Sequence, residues 1–179
     1  MRNIFVTNPD LILHSLTDDD LGFLRAFVSS RNIYRYEPTY LPELEDSPEK
    51  VLPKLRHMEL ERDRQCIWGI YEKSSPEKMI GLAELYDYKT SGLVISIGYR
   101  IAEEYWGRGI ASSCVRGLLD FIMTEIRVKM VTAHVIPENK GSARVLLKNG
   151  FEYLLTKEED WGHEHLTTAD VYTWDRPES

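Results

Sequence analysis

The stretch Tyr105-Trp106-Gly107-Arg108-Gly109-Ile110-Ala111 has the residue types from which backbone alone can hold an anion. It follows a β-like run and opens a strongly amphipathic helix. The first N–H groups of a helix lack internal partners and lie at the positive end of its dipole, so phosphate oxygens are natural ligands for them. Gly107 and Gly109 would let phosphates approach with no Cβ in the way. No Gly-Lys-Ser/Thr closes the loop and no Gly-x-Gly-x-x-Gly opens it, which disfavours both a Walker-type ATPase and an ordinary dinucleotide-binding dehydrogenase. A glycine loop of this length is about as often a plain tight turn, so its neighbours must decide.

Other residues could move protons. Glu84 sits in the middle of an apolar run, where burial would raise its pKa toward that of a useful base. Strand alternation could equally turn it to solvent or to a neighbouring arginine. His134 titrates near neutrality by nature, in competition with a plain role as a strand residue facing solvent or a hydrogen-bond partner. Glu158 and Glu159 lie in a charged linker that could fold over a cleft. Asn139 and Ser142 open a short helix, for which capping is the simple explanation. The histidines lack paired ligand spacing apart from His163 and His165, so no metal is expected.

These residues belong to a chain of 179 residues, enough for one well-packed domain (1–179, core about 11–174) and short for two. With 42% hydrophobic and 28% charged residues it has the composition of a globular protein. A net charge of −7 argues against a nucleic-acid surface and is compatible with a cationic substrate. Cys66 and Cys114 fall in apolar runs, which speaks against a disulfide framework. No signal-like or bilayer-spanning stretch is seen, so a cytoplasmic protein without membrane contact is expected.

The elements follow from periodicity. Residues 11–13 read as a strand, and Thr17 with Asp20 as a capping box ahead of Leu21, Leu24, Phe27 and Val28. The proline-rich and acidic stretch 37–48 reads as a loop, followed by a helix near 48–62. Residues 66–71 and 79–86 form an expected antiparallel hairpin with its turn at 73–78, and 93–101 a third strand whose Gly98 suggests a bulge or a close approach. Ile110, Cys114, Val115, Leu118, Leu119 and Ile122 lie on one helical stripe. Val131, Ala133 and Val135 alternate as in a strand. A helix over 139–148 is stopped by Asn149-Gly150, and 151–155 with 166–174 close the chain as a hairpin. The expected fold is a single α/β (α+β) domain with a mostly antiparallel mixed sheet flanked by helices.

Read together, the Ile97-Gly98-Tyr99-Arg100-Ile101 strand, the Trp-Gly-Arg-Gly-Ile-Ala loop, and Asn139-x-x-Ser142 followed by Gly150-Phe151 resemble the GCN5-related N-acetyltransferases, over nearly the whole chain. Within them the chain looks most like the RimJ/RimL-like branch of ribosomal-protein N-terminal acetyltransferases. The family's loop begins with Gln or Arg where this chain has Trp106, as that branch does. The resemblance implies that acetyl-CoA is the cosubstrate, its pyrophosphate on backbone N–H groups of Trp106, Gly107, Arg108, Gly109, Ile110 and Ala111. It implies a sheet splayed beyond Gly98, with pantetheine bonded to Tyr99 and Ile101 and contacted by Asn139. By the same resemblance Ser142 would serve the coenzyme sulfur. From its place in the strand Glu84 is the first candidate for the catalytic base, a backbone N–H near Tyr99 would meet the oxyanion, and Arg100 and Arg108 either reach phosphates or are simply solvated.

The implied reaction is direct acetyl transfer to a primary amine, a protein N-terminus or a small cationic amine, with the acidic stretch 37–49 and Asp87 drawing positive charge to the acceptor site. The alternative is a non-catalytic acyl-CoA-binding module of the same fold. Homodimerisation is common in the resembled branch.

Overall fold

The computed structural model describes residues 4–28, 30–36, 47–91, 93–162 and 164–177. Among them runs one eight-stranded sheet in the order β1-β2-β3-β4-β5-β6-β8-β7. The strands are β1 (Ile4–Thr7), β2 (Leu11–His14), β3 (Cys66–Glu72), β4 (Ser75–Lys89), β5 (Val94–Ile101), β6 (Met130–Val135), β7 (Glu152–Glu159) and β8 (Thr167–Asp175). Every neighbouring pair is antiparallel except β5 with β6. That parallel pair needs a crossover, which α4 (Ile110–Glu125) supplies.

The apolar stripe of α4 is buried as its period requires, with Cys114, Val115, Leu118 and Ile122 fully enclosed. Smaller helices are α1 (Leu21–Val28), α2 (Pro48–Arg56), α3 (Leu60–Asp63) and α5 (Lys140–Lys148). The Thr17 box is present, its backbone N–H donating to Asp20 Oδ2 at 2.7 Å, but it opens a 3-10 turn at Asp18–Asp20 ahead of α1. The helix expected over 48–62 is divided, because α2 tightens at its end into i→i+3 bonds, His57 N–H to Lys54 O at 3.2 Å and Met58 N–H to Leu55 O at 3.3 Å. The acidic stretch 37–46 lies outside the described residues.

Strands β4 and β7 differ from expectation in their bounds. The hairpin turn shrinks to Lys73 and Ser74, and β4 runs on to Lys89. The charged residues Lys157, Glu158 and Glu159 are strand rather than linker, paired with Ala169, Thr168 and Thr167. α5 ends as Asn149-Gly150 foretells: Phe151 N–H bonds Leu146 O and Gly150 N–H bonds Leu147 O, both at 3.1 Å, the two bonds of a Schellman motif.

Candidate active site

β5 and β6 are partners for only three residues, Val94 with Met130, Ile95 with Val131 and Ser96 with Thr132. Beyond Ser96 the two strands part, leaving β5 from Ile97 to Ile101 with an open edge toward β6. A buried hydrogen bond of 2.7 Å between Ser96 Oγ and Thr132 Oγ1 marks the fork. The expected bulge at Gly98 is absent, since the register from Gly81 with Ile101 to Tyr86 with Ser96 is unbroken. Gly98 is required for another reason. Glu84 is its partner on β4, and a Cβ at Gly98 would lie 2.1 Å from Glu84 Oε1. The glycine makes room for a carboxylate.

Glu84 is 6% exposed and lies 3.5 Å from Arg100 Nη1. Arg100, also 6% exposed, is held beside this carboxylate. Arg108 does not stand free either: it donates to Glu72 at 2.6 Å and lies over the Tyr105 ring at 5.2 Å.

The loop itself has the geometry of an anion seat. Gly109 occupies the N-cap of α4 at φ 80°, in the left-handed region, and no side chain caps the helix. Nothing lies within 4 Å of where a Cβ would stand on Gly107 or Gly109. Trp106 departs from expectation, because its backbone N–H is already bonded to Glu103 O at 3.0 Å and closes the turn. Its indole donates to Ile101 O at 2.7 Å, so that carbonyl is engaged at the far end of the open edge. The free donors run from Gly107 to Ala111.

Across the fork, Asn139 accepts from Ser142 N–H at 3.1 Å and caps α5, the plain role its position suggested. The Ser142 hydroxyl lies 2.9 Å from the hydroxyl of Tyr99. Tyr99 had been expected to act only through its backbone; the phenol is a site group that sequence reasoning missed. Burial pushes its pKa well above the usual phenol value, while the bond to Ser142 pulls the other way.

A narrow cavity of about 60 Å³ holds this hydroxyl pair together with Glu84, Gly98 and His134. It meets a wider one of about 540 Å³ lined by Glu84, Asp87, His134, Lys157, Glu158, Glu159 and Asp160. His134 Nδ1 is 2.7 Å from Glu159 Oε2. Bare N–H donors, an open strand edge and a terminal hydroxyl pair, in that order, fit the diphosphate, amide-bearing arm and sulfur of a coenzyme A thioester. Among the described residues no group of three His, Cys, Asp or Glu is arranged to hold a metal ion, and no helix is long and apolar enough to cross a membrane.

Comparisons with known proteins bear on the family and the fold. Residues 10–152 match the family described as the acetyltransferase (GNAT) domain. An uncharacterised N-acetyltransferase of Bacillus subtilis, YoaA, is 28% identical over 144 residues, 79% of each chain. The spermidine N(1)-acetyltransferase of Vibrio cholerae is 27% identical over 146 residues, 80% of each chain. A solved structure of a Vibrio cholerae spermidine N-acetyltransferase with CoA and spermine superposes with a TM-score of 0.75 at 22% identity, covering 94% and 96% of the two chains. That of RimL, the ribosomal L7/L12 α-N-protein acetyltransferase, with coenzyme A, gives a TM-score of 0.77 at 16% identity over 97% and 98%. The fold is thus shared with the expected branch and with a polyamine acetyltransferase alike. The chain belongs to the GNAT family of N-acetyltransferases.

Proposed function

We propose that this N-acetyltransferase acts on a small polycationic amine, transferring to it the acetyl group of acetyl-CoA. The observation that carries the reading is the charge of the wider cavity. Glu84, Asp87, Glu158, Glu159 and Asp160 surround it, against the single ammonium of Lys157. Arg100 offsets Glu84 and Lys157 lies against Glu159, which leaves the cleft net negative through Asp87, Glu158 and Asp160, and a net negative cleft attracts an acceptor that carries several positive charges. The likeness to a spermidine acetyltransferase supports the same class. Two buried free thiols, Cys66 and Cys114, suit a reducing cytoplasmic setting.

The division of labour follows from placement. Acetyl-CoA supplies the activated acyl group. N–H groups from Gly107 to Ala111 bind its diphosphate, and the open edge of β5 orients the acyl end, with a backbone N–H near Tyr99 as donor to the oxyanion. Ser142 and Tyr99 present hydroxyls to the departing sulfur. A group at the junction of the two cavities accepts a proton from the amine, the task for which Glu84 was the first candidate.

The test is thiol release with spermine, spermidine and a set of N-terminal peptides, at low and at high salt. The expected result is turnover of polyamines with kcat/KM at least about tenfold above any peptide, the gap narrowing as salt screens the cleft. Preference for a peptide would move the acceptor to protein N-termini. Tight acetyl-CoA binding without turnover of any amine would favour a non-catalytic module.

A further inference from the structure

We propose that His134 is the residue that accepts the proton of the acceptor amine, and that Glu159 positions it and stabilises its charged form. The inference rests on the N-acetyltransferase reading above and refines which group does the proton work. His134 lies on β6 two residues past the last pair of the fork, and it borders both the narrow cavity of the hydroxyl pair and the wide acidic one. That junction is where an amine entering from the acidic side meets an acyl group held beside Ser142.

The tautomer is fixed by its partner. Nδ1 lies 2.8 Å from Glu159 Oε1 and 2.7 Å from Oε2. An ionised carboxylate only accepts, so Nδ1 carries the hydrogen and Nε2 of the neutral ring keeps its lone pair. The ring of Tyr86 meets the imidazole edge-on at 6.5 Å between centroids. Orientation by a carboxylate through one nitrogen, with proton transfer at the other, is the general logic of a carboxylate–histidine base.

Neither nearby carboxylate is as well placed for the task. Both oxygens of Glu159 are occupied, Oε1 by Lys157 Nζ at 2.8 Å and Oε2 by Trp161 Nε1 at 3.0 Å, besides His134. Burial pushes its carboxyl upward, but the bonds from Lys157, His134 and Trp161 outweigh this and hold it below the usual range. Such a group is a weak proton acceptor and a good counter-ion for an imidazolium. Glu84 is engaged by Arg100 over Gly98. Its charge is shared between that guanidinium and the wide cavity it lines.

In the step so assigned, the ammonium of the acceptor first gives up one proton to solvent, and the lone pair of the neutral amine so formed makes the N–C bond while the thioester carbonyl π pair moves to oxygen. The now cationic nitrogen passes one proton to His134 Nε2. The oxygen pair returns as the C–S bond breaks, and sulfur leaves with that bond's electrons. The thiolate takes a proton through the Ser142 and Tyr99 hydroxyls, resupplied by water, and His134 releases its proton to solvent.

The charges around the imidazole are the carboxylates Glu159, Glu158, Glu84, Asp87 and Asp160 and the cations Lys157 and Arg100. The test is the pH profile of kcat/KM for spermine in the wild type, His134→Gln, Glu159→Gln, Glu159→Asp and Glu84→Gln, with acetyl-CoA affinity measured by calorimetry. The wild type is expected to lose activity on the acid side, where a proton on Nε2 leaves the imidazole unable to accept another. His134→Gln should fall by about 10²-fold or more and lose that ionisation, while still binding acetyl-CoA. Glu159→Gln should move it to lower pH, since the anion that favours the imidazolium is gone, and Glu159→Asp should recover part of the rate. Glu84→Gln should raise KM for spermine and leave the ionisation in place.

Activity in His134→Gln close to that of the wild type with the same acid limb would overturn the assignment. So would a wild-type profile without an acid limb, which needs no variant to fold. Those results leave the acetyltransferase reading intact, whereas a wild type that turns over no amine removes both.

Discussion

The phenol of Tyr99, on β5, and the hydroxyl of Ser142, on α5, are 2.9 Å apart and join the two sides of the fork at the acyl end of the cleft. A buried phenol with a raised pKa remains protonated at any working pH, so it can donate a hydrogen bond to a departing thiolate throughout. Two donors that act as one unit should not be additive. Tyr99→Phe and Ser142→Ala are each expected to lower kcat by about 10²-fold, with the double variant little worse than either single one. Steady-state kinetics on the four proteins measures the coupling, and strictly additive losses would mean the hydroxyls act separately.

The Gly98 and Glu84 pair gives a second expectation. A methyl group at position 98 would have to displace the Glu84 carboxylate, whose Oε1 would be 2.1 Å away. Since that carboxylate is also tied to Arg100 within a buried strand pair, Gly98→Ala should cost about 1–3 kcal/mol of stability. It should also raise the acceptor KM, because Glu84 lines the cavity. Urea denaturation and kinetics on the same preparation test both; a stable variant with unchanged KM would show that the carboxylate can move freely.

Gly109 separates cofactor binding from packing. Its φ of 80° is strained for any side chain, yet a Cβ there would meet nothing within 4 Å. Gly109→Ala should therefore lose only ~1–2 kcal/mol of stability. Its clearer effect should be a raised Kd for acetyl-CoA, through loss of the exposed N–H seat, with the Kd for the acceptor little changed. Calorimetric titration of each ligand separates the two.

How far the sequence announced this site depends on the kind of signal. The stripe of α4 and the Asn149-Gly150 stop were legible because both are local: one is a period of residue types and the other a two-residue conformational demand. The glycine turn that opens α4 was legible for the same reason, but not the fate of Trp106, whose indole finds a carbonyl on the preceding strand. Tyr99 with Ser142, and His134 with Glu159, join residues 43 and 25 apart in the chain, and no spacing rule foretells such partners. Strand β7 was missed through Lys157, Glu158 and Glu159 because an exposed edge strand carries no apolar alternation. Gly98 was rightly suspected, for a reason that only the facing carboxylate supplies.

The two thiols set a limit at high pH. Burial pushes the Cys66 and Cys114 thiols up to about 12. Unfolded thiols ionise near 8.5, so above that pH the unfolded chain gains from losing protons that the folded chain retains. Stability should be fully present below about pH 8.5 and decline progressively as pH rises toward about 12, the opposite sense to acid unfolding of paired carboxylates. Denaturant unfolding at a series of pH values measures this, and Cys114→Ala should flatten the decline while lowering stability at neutral pH through the cavity left under α4. A decline of equal slope in wild type and variant would assign the alkaline loss to other groups, foremost the buried phenol of Tyr99.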